Sequence, residues 1–308
     1  MVRFSDIIST RPKKKPENVT SDAKRQSEKL WVSDSQIIEA RDTADAWKPV
    51  STTEHKSRVK EYHNALHQKA IDVRNRVKRN QGISPSPVIS ILHHIIEEDL
   101  IDELYEYCAS VLDADQPAES ISITAGSLKV GKGLGYDTEN LIKLGLAAFL
   151  KNVGLYKIPD RVLQQVRKLN NEEMEMIRSH PEMGAQIVGT MGAAYMWLPR
   201  VIRQVHERSD GSGYPDGLKG EEISELSSII GIIDIYMAMT KDRPYRNKFL
   251  QTDAVKSVIG IEKNKMDVFE LFCSKIRSLN VSDMQAIALP VKYPRSSRPR
   301  FERSSLIC

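Results

Sequence analysis

The chain has 308 residues with 45 Lys and Arg against 41 Asp and Glu, a formal net charge of +4, 40% hydrophobic and 28% charged residues. That balance is ordinary for a water-soluble chain, and the length suits one helical domain of about 200 residues with a smaller part before it. No apolar run reaches the ~18 residues of a membrane span, no apolar signal core opens the chain, and Cys108, Cys273 and Cys308 form no disulfide framework or zinc spacing; the cytoplasm is the expected setting.

Residues 1–53 show no sustained periodicity and are expected to be mostly unstructured. Charge collects at the two ends: residues 1–29 hold 8 Lys and Arg against 4 Asp and Glu, residues 291–308 hold 5 against 1, and +4 at each end leaves the body near −4. RPKKKP and YPRSSRPRFER are rich in Pro and basic residues, the signature of tails that either stay solvated or contact anionic lipid, nucleic acid or an acidic protein face.

A helical region is expected over 54–112. Val59, Tyr62, Leu66, Ala70, Val73 and Val77 recur at threes and fours and predict an amphipathic helix to about Asn80, which also suits pairing between subunits. Ser84-Pro85-Ser86-Pro87 breaks it. Ser86 is then the expected cap of a second helix with Pro87 at its first position and Val88, Ile91, Leu92, Ile95, Ile96, Leu100, Leu104 and Tyr107 on its core face. His93 and His94 in that helix point about 100° apart and read as structural.

Further on, LSSIIGIIDIYMAMT predicts an interior helix whose single charge is Asp234. A buried carboxylate needs a cation, so Asp234 is either half of a structural ion pair or a metal or catalytic group. Before it, SDGSGYPDGLKG predicts a stiff loop with a type I turn over Tyr214-Pro215-Asp216-Gly217, Tyr214 being either a contact residue or a packed ring. In DRPYR, Arg243 and Arg246 suit a phosphate or form a solvated face. No receiver-type strand–helix alternation, glycine-rich phosphate loop or repeat is visible. Helices after Thr252 complete the bundle, and a domain over 113–290 is followed by the basic tail 291–308.

The order His-Glu, GYP loop, IIGIID helix and RPYR resembles the HD-GYP family of cyclic di-GMP phosphodiesterases. The resemblance runs from Asp115 to about Leu250: ESISITAGSLKVGKGLGYD matches the family's opening helix, LGLAAFLKNVGLYKIPDRVL the helix of the His-Asp pair, and KLNNEEMEMIRSHPEMGAQIV the next two. It implies an all-α bundle with metal ligands at His180, His206 and Asp234, while Asp115 stands where the family has Glu and Glu119 where it has His. The His-Asp pair has become Lys151 and Asn152, the first of the paired His has become Val205, and a family Lys has become Leu155.

The family's two or three metal ions share a water or hydroxide that attacks phosphorus. Asn152 brings no bridging charge, Val205 no lone pair, and the Lys151 ammonium competes with a cation for space. The expectation is that Lys151 neutralises Asp234 or the Asp115 and Glu119 pair; the alternative is that it snorkels to water. No cofactor is expected, or else one iron, manganese or zinc ion on the remaining donors. By resemblance, Arg243 and Arg246 flank the cyclic di-GMP phosphates and the Tyr214 loop docks diguanylate cyclase domains. Two functions compete: a regulatory protein that binds the nucleotide or docks a partner without cutting, and a weak or single-metal phosphodiesterase.

Overall fold

In the computed structural model, residues 52–111, 115–165 and 167–240 are described. The expected helices after Thr252, Arg243, Arg246 and both basic tails lie outside them. The described residues are helical and loop, with an isolated antiparallel bridge between Asp210 and Lys219 and no strand, so the all-α expectation holds.

Helix α1 (Thr52–Lys78) buries the expected stripe Val59, Leu66, Ala70, Val73 and Val77. It closes with Asn80 left-handed at φ 57°, the Gln81 N–H bonding the Arg76 carbonyl at 2.8 Å and the Asn80 N–H the Val77 carbonyl at 3.1 Å. Helix α2 (Ser86–Glu97) starts one residue earlier than the sequence predicts: Pro85 is buried at the cap, its carbonyl accepts from Val88 and Ile89, and no side chain caps the end.

The single helix expected from Ser86 through Tyr107 is two. Asp99 takes φ 54°, and Leu100 and Asp99 bond back to Ile95 and Ile96 in the same closing motif, after which α3 (Ile101–Ser110) begins. The apolar period continues through the break because Leu100, Ile101 and Leu104 are buried on the far side of it. Tertiary charge favours the corner: Lys132 meets Asp99, and Asp102 receives Lys129 at 2.9 Å and Lys132 at 3.0 Å.

Helix α4 (Gln116–Gly133) is the buried centre. The Asp115 carboxylate caps it through the Ala118 N–H at 2.8 Å, and its Ser122 and Thr124 hydroxyls return to carbonyls one turn back. Small residues let neighbours approach closely; a Cβ on Gly126 would stand 2.8 Å from Ile233. Helix α5 (Thr138–Leu150) packs on α4 and leads through a tight 3₁₀ turn, Val153–Lys157, to α6 (Asp160–Leu163). The capping box Asn170/Glu173 opens α7 (Asn171–Arg178), followed by α8 (His180–Val188), α9 (Leu198–Arg203) and α10 (Glu225–Thr240). One core runs from Val59 to Met239, and a smaller one gathers Leu155, Ile158, Val162, Leu169, Met174 and Ile177. No helix among the described residues is long and apolar enough to cross a membrane.

Candidate functional site

Close backbone approaches assemble the site. A Cβ on Gly154 would stand 1.9 Å from the His180 carbonyl, so the turn after α5 lies directly on α8 and sets Lys151 and Asn152 beside His180. A Cβ on Gly231 would meet the Val205 carbonyl at 2.7 Å; α10 therefore lies against the chain carrying His206, and Asp234 follows about one turn later. Lys151, His180, His206 and Asp234 are 0%, 1%, 2% and 2% exposed.

Lys151 Nζ lies 2.8 Å from Asp234 Oδ1 and donates to Asn152 Oδ1 at 3.0 Å. Neither Asp234 oxygen has a partner in hydrogen-bond geometry, although the ion-pair distance is short. The ion pair is the interaction that counts, because Coulomb attraction in a dry pocket does not depend on the donor angle. The lysine is fully buried and pairs with Asp234; it neither snorkels to water nor serves Asp115. That acid caps α4 and meets His67 at 3.2 Å on the surface. Glu119, half-buried a turn later, acts with Asp115 on Tyr156, whose hydroxyl burial pushes up to about 12.

The histidines are bonded to each other. His180 Nδ1 is 2.7 Å from the Ile177 carbonyl, which can only accept, so the proton sits on Nδ1 and leaves a lone pair on Nε2. His206 Nε2–H donates to that lone pair at 3.1 Å. Burial holds the His180 pKa down to about 4, with the Lys151 ammonium adding to it, and burial pushes His206 well below the ordinary range, with His180, Lys151 and Arg208 adding. Both rings are neutral at pH 7.

The GYP loop is fixed from three sides. The Tyr214 ring is half-buried and stacks on His206, centroids 5.0 Å apart and planes within 7°, while the Arg178 guanidinium lies 5.8 Å from its centroid. Tyr214 is thus a packed ring as well as a rim residue. Glu207, 4% exposed, accepts the N–H groups of Asp216 (2.6 Å), Gly217 (3.2 Å) and Leu218 (2.9 Å); burial raises its pKa against these bonds. Arg203 makes two 2.8 Å bonds to Asp216 and lies 3.3 Å from Glu182. The Gly217 N–H, which would close the expected type I turn onto the Tyr214 carbonyl, goes to Glu207 Oε1 at 3.2 Å instead, and the Tyr214–Pro215 bond is cis. Sequence reasoning missed Glu207 and Arg203 as loop anchors; the one local signal was an acid directly after His206.

Val205 and Leu155 are 1% and 4% exposed inside the two apolar cores. Among the described residues no group of three or more His, Cys, Asp and Glu side chains is placed to hold a metal ion. Two imidazole nitrogens are fewer donors than the three or four of a protein metal site, and the remaining carboxylate faces an ammonium. The residues present do not fit the multi-metal centre that the sequence resemblance implies.

The HD domain family model matches residues 96–268. A cyclic di-GMP phosphodiesterase of Pseudomonas aeruginosa is 31% identical over 137 residues, 44% of this chain and 33% of the relative. A 3'3'-cGAMP-specific phosphodiesterase of Vibrio cholerae is 35% identical over 152 residues, 48% of this chain and 32% of the relative. The chain thus spans about a third of the length of these relatives. Among solved structures, an HDG"Y"P protein from Bdellovibrio bacteriovorus superposes with a TM-score of 0.52 over 73% of each chain at 14% identity, a likeness of fold.

Proposed function

Because this chain belongs to the HD domain family, in its HD-GYP branch, we propose that it is a non-hydrolytic regulatory protein of cyclic dinucleotide signalling, one that binds cyclic di-GMP or docks a partner such as a diguanylate cyclase. The observation that carries this reading is the buried Lys151–Asp234 pair at 2.8 Å. A tethered ammonium gives the carboxylate its counter-charge and supplies neither a Lewis acid nor an activated water. Lys151, His180, His206 and Asp234 are also shut off from solvent, so a phosphate does not reach them in this conformation.

The docking half of the reading draws on the GYP loop, whose amides and Asp216 are held before any partner arrives. A preorganised loop loses little entropy on binding. The nucleotide half draws on Arg243 and Arg246 and on the substrates named for the relatives.

The deciding experiment incubates metal-supplemented protein with cyclic di-GMP and, separately, 3'3'-cGAMP, measuring binding by calorimetry and linear product by chromatography. Binding without product supports the sensor. Neither binding nor product supports a docking protein, tested next with a diguanylate cyclase domain. Metal-dependent product establishes the competing reading, a weak phosphodiesterase, which draws on the two imidazole nitrogens standing 3.1 Å apart.

A further inference from the structure

His180 Nε2 and His206 Nε2 stand 3.1 Å apart. Two nitrogens at that spacing, each ~2.1 Å from one ion, subtend about 95° at it, the bite of neighbouring ligands. The bond from His180 Nδ1 to the Ile177 carbonyl is the kind of outer support that orients a metal-binding imidazole. Asp234 is the adjoining oxygen donor, and here the pocket departs from an ion site: the carboxylate faces Lys151 Nζ at 2.8 Å, and Asn152 Oδ1 anchors the ammonium at 3.0 Å.

We propose that Lys151 is a built-in counter-ion that takes the place of a divalent cation beside Asp234 and the two imidazoles, so that this one residue keeps the pocket closed to an ion. An ammonium carries three donors and no lone pair, and it repels a second cation at close range. Being tethered and fully buried, it competes with any ion at every concentration of that ion. It also fits the pocket imperfectly: the Asn152 amide nitrogen and both Asp234 oxygens are buried without hydrogen-bond partners. Native interiors rarely leave such groups unanswered. Without the ammonium, His180, His206 and Asp234 are two imidazoles and a carboxylate, a donor set suited to iron(II), manganese or zinc.

This inference deepens the non-hydrolytic reading of the same pocket, and its test contains no nucleotide, so the two can fail separately. The full chain, stripped of metal, is titrated with Mn²⁺ and with Zn²⁺ by calorimetry, as wild type, Lys151→Ala, Lys151→Met and Lys151→Ala/Asp234→Asn. The ring ¹⁵N resonances of His180 and His206 are followed in parallel. Wild type is expected to show no ion-dependent change in those resonances. The Lys151 variants are expected to take up one equivalent at least about a hundredfold more tightly, the scale of removing a like charge a few ångströms from a divalent ion. The gain disappears with Asp234→Asn, and Zn²⁺ raises the melting temperature of the Lys151 variants alone. Wild-type ring signals that shift with one equivalent of ion overturn the proposal, as do folded Lys151 variants with no gain. Should the variants fail to fold, the wild-type ring titration decides alone: a shift refutes, and unmoved signals support.

Discussion

Replacing Lys151 with Met keeps the length of the side chain and deletes its charge, leaving Asp234 buried at 2% exposure with no cation. At the observed 2.8 Å, two unit charges attract by about 6 kcal/mol for an effective dielectric of about 20. Burying each ion costs several kcal/mol, so the pair contributes little net stability, but removing one partner strands the other and costs about 3–5 kcal/mol. For a body of this size that is a fall of about 6–20 °C in melting temperature, taking 2–4 °C per kcal/mol. Asp234→Asn strands the ammonium and should cost a similar amount, softened by the bond to Asn152. The double variant should lose only the about 1–3 kcal/mol of an unsatisfied amide, giving a coupling of at least about 3 kcal/mol. Reversible urea unfolding of all four proteins at pH 7 measures the cycle. A Lys151→Met loss under about 1 kcal/mol, or singles that simply add in the double, would refute the buried-pair argument.

The neutral histidine pair predicts an acid-side loss of stability. A base with a depressed folded pKa stabilises the fold above its unfolded value, near 6.5, and that contribution drains away as pH falls toward the folded value, about 4 for His180. Urea unfolding at pH 7 and pH 5 should differ by about 2 kcal/mol from His180, with more from His206, and His180→Asn should shrink the difference. Gly154→Ala drives a methyl into the His180 carbonyl at 1.9 Å, where backbone must move, and should cost about 1–3 kcal/mol or more in thermal melts. Gly82→Ala, with open space around the new methyl, should be neutral or stabilise by under about 1 kcal/mol. Glu207→Gln loses one carboxylate acceptor for the loop amides and should cost about 1–3 kcal/mol, with faster hydrogen exchange over 208–219; unchanged exchange there would remove Glu207 as the loop's anchor.

The all-α class and the α1 stripe were legible from the chain, because apolar period is a local property, whereas Lys151, His180 and His206 stood out only through the resemblance to a family. The N-terminal helical region was legible too, but the break at Asp99 was not: an Asp carries weaker left-handed preference than Gly, and the lysines that favour the corner lie about thirty residues away on α4. Likewise the sequence left Lys151 three fates, and the structure chose the ion pair with Asp234 over water and over Asp115.

That choice depends on geometry no local pattern contains. Gly154 pressed on the His180 carbonyl and Gly231 on the Val205 carbonyl bring residues 151, 180, 206 and 234 into one dry pocket. Side-chain chemistry told from the chain alone that a buried Asp234 needs a positive charge. Which cation answers it, which histidine nitrogen carries a proton, and which acid gathers the loop amides were decided only by backbone approach across dozens of residues, since Coulomb and hydrogen-bond energies depend on distances that exist only after folding.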